Sequence, residues 1–198
     1  MKEKQLLEYF LEINKIKDVK RYVPHHPIFK ESVADHAFMM IVLADKFMDE
    51  LKLGLDYKKV IKLITHHDFC EIGLTADYDA VKANADKNYN DEKEVVERKS
   101  IEELSGNHGK EISDLYTEYC EQKTQEAKFV KAIDKLETVI YELMRGAKYL
   151  EHTEFEVKYP RKAIENFPEL KPFYRELLSY MKLEYTRVGH PWKKEYEL

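Results

Sequence analysis

The sequence predicts an all-α fold, and three observations carry the prediction. Only six glycines and six prolines occur in 198 residues, too few for the tight turns of a sandwich or barrel. No proline falls between Pro27 and Pro160, so long helices are sterically free across that span. Apolar residues recur at helical spacing almost throughout, and no segment reads convincingly as a strand. The length suits one ordinary domain spanning 1–198.

Leu6, Leu7, Phe10, Leu11 and Ile13 mark a first helix. Residues 19–31, with Pro24, His25, His26 and Pro27, read as a loop. Ser32 is placed to cap a second helix striped by Ala37, Met40, Ile41, Ala44, Phe47, Met48 and Leu51, as far as Gly54. A third helix starts near Asp56, carries Val60, Ile61 and Ile64 on one face, and runs through Thr65-His66-His67-Asp68 to Gly73. Residues 74–90 lack a period and hold several Asp and Asn, the mark of a functional loop or lid. A charged helix from about Asp91 to Leu104 ends at Ser105-Gly-Asn-His-Gly109, and another covers about 110–122. The longest apolar-periodic segment, 125–148, holds Phe129, Val130, Ile133, Leu136, Ile140 and Leu143. After a Tyr-rich stretch at 149–160, a last helix near 168–186 brings the total to six or seven in one bundle.

Composition excludes several classes of function. Charged residues make up 36% of the chain and the net charge is −5, which leaves no footprint for bulk nucleic acid. Mean hydropathy is −0.63 and no apolar run approaches a membrane span. The start, Met1-Lys-Glu-Lys, leads into a charged amphipathic segment rather than a signal-peptide core. Cys70 and Cys120 form no CxxC pattern, so the expected compartment is a reducing cytoplasm.

The chemistry lies where ionisable residues interrupt the apolar stripes. His36 precedes Met40, Leu43 and Phe47 at helical steps. His67, Asp68 and Glu71 share a side with Val60 and Ile64, and Asp134 and Glu137 share one with Val130 and Ile133. A buried unpaired carboxylate costs several kcal/mol, so it must find a cation or hold a proton. No Arg or Lys lies on those stripes to serve two acids. One divalent ion would satisfy His36, His67, Asp68 and Asp134 together, and two nitrogens with two oxygens suit Mn, Co or Fe, with Zn or Mg as further choices.

Three strings in order sharpen this pattern: Glu31-Ser-Val-Ala-Asp-His36, His67-Asp-Phe-Cys-Glu71, and Glu126-Ala-Lys-Phe-Val-Lys-Ala-Ile-Asp134-Lys-Leu-Glu137. Together they resemble the HD-domain phosphohydrolase superfamily, in the branch of the 5′-deoxynucleotidases and HD-domain-containing protein 2. The resemblance covers roughly residues 5–150, leaving about 151–198 as a C-terminal helical extension. It implies an all-helical HD domain, one divalent metal on His36, His67, Asp68 and Asp134, and phosphate-ester hydrolysis. In that branch an Arg before the first ligand orients the phosphate and an adjacent Trp shapes the sugar pocket. Arg21 stands at the matching place here, and its neighbour is Tyr22. A second acid follows the branch's Glu by five residues. Asp77 is six after Glu71, so Asp77 and Asp79 both remain candidates. The resemblance also suits a homodimer.

These implications fit elementary phosphoryl chemistry. Glu71 suits a base or proton carrier for an attacking water, and Arg21 a bidentate fork on the phosphate. The expected substrate is a small nucleotide, a nucleoside 5′-monophosphate of the deoxy series. Lys82, Lys87 and Lys93 leave a triphosphate open, and a non-catalytic, metal-stabilised regulatory module is the reading from another class. Between the His-Asp pair and Asp134 only His108 is available as a further His ligand, which favours one metal over two.

Overall fold

The computed structural model describes residues 2–22, 28–74 and 78–197, and across them the chain runs as a succession of helices. These are α1 (Glu3–Ile13), α2 (Val33–Glu50), α3 (Tyr57–His66), α4 (Ala80–Ala85), α5 (Lys87–His108), α6 (Glu111–Glu121), α7 (Gln125–Arg145), α8 (Thr153–Lys158), α9 (Arg161–Asn166) and α10 (Lys171–Val188). The seven of ten residues or more (α1, α2, α3, α5, α6, α7 and α10) match the segments expected from periodicity. Among the described residues the only extended pairing is an isolated bridge between Lys20 and Ser32. None of the helices is long and apolar enough to cross a membrane.

Helix α7 is the axis of the bundle. Its start is fixed by Thr124, whose hydroxyl accepts the Ala127 N–H, and its end by Gly146 at φ 115°. Helices α2, α3, α6 and α9 pack against it. Phe129, Val130, Ile133 and Leu136 are fully buried in one cluster that reaches from Phe29 to Tyr174, Tyr185 and Tyr196. A helix covered on nearly all sides buries its ionisable residues with the rest, which is how Asp134, Glu137 and Glu142 come to lie inside. A smaller cluster of Phe69, Cys70, Ile72, Ile101, Leu104, Ile112 and Tyr116 ties α5 and α6 to the segment after α3.

Local chemistry explains three departures from the expected boundaries. Helix α3 does not continue to Gly73. It ends at His66, Asp68 takes φ −106° and ψ 16°, and Phe69–Glu71 form a 3-10 turn closed by Glu71 N–H to the Asp68 carbonyl at 3.0 Å. Helix α5 starts earlier than Asp91 because Asp86 caps it, and it passes through Ser105-Gly106 to Gly109 at φ 122°. The buried Ile101 and Leu104 anchor that last stretch. Part of the expected 74–90 loop is helical, with α4 capped by Asp79.

Candidate metal centre and substrate cavity

Three helices each bring one buried side chain with a donor atom to a single point. His36 on α2 is 0% exposed, His67 at the end of α3 2%, and Asp134 on α7 5%. One donor atom from each lies within 4.8 Å of the other two. His36 Nε2 is 3.4 Å from Asp134 Oδ1. Asp68 joins from the other side, with Oδ2 2.9 Å from His67 Nε2. Neighbours on a continuous α-helix point about 100° apart. The break after His66 therefore lets His67 and Asp68 serve one site.

The second nitrogen of each imidazole sets the tautomer. His67 Nδ1 donates to the Ile64 carbonyl at 2.7 Å. His36 Nδ1 donates to Glu137 Oε2. Both Nε2 atoms are buried without a well-aligned hydrogen bond, each facing only a carboxylate oxygen, Asp68 Oδ2 at 2.9 Å and Asp134 Oδ1 at 3.4 Å. Nitrogens so placed cost free energy unless something coordinates them, and a metal-binding His characteristically gives its other N–H to a carbonyl or carboxylate. The donor set therefore fits a divalent cation. A second triple, Glu31, His36 and Glu137, lies behind His36. There Arg21 supplies the positive charge, with one terminal nitrogen 2.7 Å from Glu31 and 3.5 Å from Glu137, and the other donating to Thr138 at 3.0 Å.

One premise drawn from the helical stripes is corrected by the structure: lysines do reach Asp134. Lys135 Nζ lies 3.0 Å and Lys131 Nζ 3.7 Å from Asp134 Oδ2, and Tyr119 donates to the same oxygen at 2.5 Å. The two lysines extend along α7 from positions off the apolar stripe, and Tyr119 reaches across from α6, which residue spacing alone does not reveal. They occupy one carboxylate oxygen and leave Oδ1 turned to His36. Burial pushes the Asp134 carboxyl up, but Lys135, His36 and Lys131 outweigh it and hold the group well below the usual range. Burial likewise raises Asp68 and is overcome by His67 and His36. Burial and Arg21 push His36 down, yet Asp134 and Glu137 lift it to about 9. A proton and a metal thus compete for its Nε2.

Beside these residues lies a cavity of about 620 Å³, lined by His67, Asp68 and Asp134 but not by His36. Glu71, Glu94 and Glu97 add acids to its wall, and Arg21, Lys93, Arg98, Lys131 and Lys135 add positive charge, Lys93 being paired with Glu97 at 2.7 Å. Glu71 is 5% exposed and held in the wall by its 3-10 turn. Arg21 also reaches the wall, although Glu31, Glu137 and Thr138 hold its terminal nitrogens. Tyr22, expected at the sugar, does not line this cavity. It sits at φ 64°, stacks on Tyr141 at 5.5 Å and meets Phe29 edge-on at 5.3 Å, so the aromatic cluster takes the ring that was to face a ligand. Asp79 is not in the wall either, since its carboxylate accepts the Lys82 N–H at 3.0 Å as the α4 cap. Asp77, His25 and His26 lie outside the described residues. The sequence reading left out Lys131 and missed the roles of Lys135, Tyr119 and Glu137. Lys131 one turn before Asp134 and Lys135 next to it were the available signal.

Comparison with known proteins agrees with this architecture. A family model described as HD domain matches residues 13–170. The chain is 36% identical over 159 residues to the 5′-deoxynucleotidase HDDC2 of Dictyostelium discoideum, covering 74% of this chain and 81% of that one. Against the 5′-deoxynucleotidase HDDC2 of Homo sapiens it is 30% identical over 142 residues, covering 69% and 66%. A predicted metal-dependent phosphohydrolase from Magnetospirillum magnetotacticum shares the fold at TM-score 0.72 and 22% identity over 95% of both chains. A conserved hypothetical protein from Pyrococcus furiosus superposes at TM-score 0.61 and 27% identity, over 89% of this chain and 98% of that one.

Proposed function

The chain belongs to the HD-domain family, and from that premise we propose that it is a metal-dependent phosphohydrolase removing phosphate from deoxyribonucleoside 5′-monophosphates. The observation that carries the reading is the convergence of two imidazole nitrogens and a carboxylate at one buried point, beside a cavity whose wall also carries Arg21, Arg98, Lys131 and Lys135. The names of the relatives, 5′-deoxynucleotidases, support the substrate class.

In this reading His36, His67, Asp68 and Asp134 hold one divalent ion. Mn, Co or Fe suits the mixed nitrogen and oxygen donors. Bound there, such an ion would supply Lewis acidity toward the phosphoryl oxygen and the attacking water. Glu71 takes the proton of that water at its carboxylate. Lys131, Lys135 and Arg21 neutralise the charge of the phosphate, and Lys135 and Tyr119 keep Asp134 ionised and oriented. Glu137 holds the His36 ring. Tyr22 acts behind Arg21, its ring 5.2 Å from the guanidinium, and bears on sugar choice through that contact. Asp77 keeps its role as second acid by its place in the sequence.

The same reading includes one domain over 1–198, a cytoplasmic location and a homodimer. Exposed Phe38, Met39 and Val42 on α2 supply apolar surface of the kind an interface covers.

Phosphate release from a panel of ribo- and deoxyribonucleoside mono- and triphosphates, with Mn or Co added, tests the proposal. Deoxyribonucleoside monophosphates should turn over fastest, and only with metal present. Metal-independent release, or none from any nucleotide, would overturn it.

A further inference from the structure

A second cavity, of about 520 Å³, lies beyond the wall formed by Lys131, Lys135 and Tyr159. Those three residues and Asn84 line both cavities, so the two adjoin. The first cavity already falls within the roughly 300–1,000 Å³ of a small-molecule site. A mononucleotide does not need the second.

The lining of the second cavity is cationic. It carries Lys131, Lys135, Lys158 and Lys162 against one acid, Glu154, on a chain whose net charge is −5. That acid is occupied, since Lys158 bonds one of its oxygens at 2.6 Å and Lys193 bonds the other. Among the described residues Lys162 has no ion pair. Tyr159 offers little as a platform for a base, because its ring lies 4.4 Å under Lys135 Nζ and 4.7 Å from the Phe155 ring. The near end of the wall touches the ligand set, with Lys135 and Lys131 on Asp134 Oδ2. Lys158 and Lys162 line the second cavity alone; Lys158 is shared between Glu154 at 2.6 Å and Glu195 at 3.4 Å, which leaves Lys162 as the added cation without an ion pair among the described residues.

We propose that this second cavity is an anion subsite for a second phosphoryl group on the nucleotide, carried either on the 5′ chain or at the 3′ position. The proposal rests on the reading that the first cavity holds the phosphate to be hydrolysed. It extends the substrate class to nucleotides bearing two phosphoryl groups.

Calorimetric titration of the full chain carrying Glu71→Gln, which keeps the metal and slows hydrolysis of the probes, tests it, with manganese saturating in cell and syringe. The probes are deoxyadenosine 5′-monophosphate, 5′-diphosphate and 3′,5′-bisphosphate. At least one doubly phosphorylated probe should bind about tenfold more tightly than the monophosphate, the size of one good charge-assisted contact. Whichever probe gains identifies where the second phosphate is carried. Lys158→Gln with Lys162→Gln should bring that gain to within about twofold and leave monophosphate affinity unchanged, and added salt should shrink it. Equal affinities for all three probes with both lysines in place, or a gain that survives both lysine substitutions, would overturn the subsite. Failure of the unsubstituted chain to hydrolyse any nucleotide would instead overturn the proposed activity, while the binding comparison still reads the subsite.

Discussion

Asp134 and Glu142 stand eight residues apart on helix α7 and are buried alike, at 5% and 6% exposure. Their protons behave in opposite ways. Asp134 faces Lys135, Lys131 and His36, which overcome burial and keep it ionised. Glu142 meets another acid, Glu156, and burial with that neighbour pushes its carboxyl well up. Arg21 is the cation that opposes the shift at Glu142, and Glu31 and Glu137 hold its terminal nitrogens. Equal burial therefore decides nothing about charge. The partners do, and along one helix they lower the pKa of one buried acid and raise that of another.

Removing each acid in turn should break the symmetry of burial most visibly. Asp134→Asn should abolish metal retention and turnover. It should also cost about 3–5 kcal/mol of stability, because it leaves three cationic groups without their carboxylate. Metal analysis after dialysis and denaturant unfolding check both. Glu142→Gln should keep metal and turnover, and loss of either would mean that the two ends of α7 are not separate. Glu71→Gln should retain the metal and lose roughly 10²–10⁴-fold in turnover, since its work is proton transfer. Steady-state rates beside the metal content separate that from a ligand defect. Glu137→Gln should weaken metal affinity by about 10–100-fold, read by chelator competition, with the fold intact.

The smallest effect concerns pH. Glu142 has a native pKa raised above its unfolded value, so its contribution to stability is complete below about pH 4 and is lost as pH rises toward the native value. Asp134, with a lowered pKa, contributes above that range and loses as pH falls. Glu142→Gln mimics the protonated acid. It should raise Tm more at pH 8 than at pH 5, and an equal shift at both would show that the group is ionised in the native protein.

The seven long helices were legible because each carries a sustained apolar stripe, and His36, His67 and Asp134 because each interrupts one. The break after His66 was not legible, since Phe69, Cys70 and Ile72 continue the apolar pattern while the backbone tightens to a 3-10 turn. Lys131 and Lys135 escaped because long side chains reach positions that their Cα atoms do not suggest. The packing of Tyr22 against Tyr141 and Phe29 was not legible, because a loop residue at positive φ has no periodicity to follow.

Of the four residues we assign to the metal, three are nearly sealed, with side-chain exposures of 0%, 1% and 7% for His36, His67 and Asp134, whereas Asp68 keeps 20%. If these residues hold the ion, Asp68 is the ligand most open to solvent, and Asp68, His67 and Asp134 all face the cavity proposed for the nucleotide. Occupancy of that cavity is then expected to slow both loading and loss of the metal. A chelator should strip the protein quickly when the cavity is empty and slowly when a nucleotide is bound, so the enzyme in steady use holds its ion kinetically, beyond what affinity alone secures.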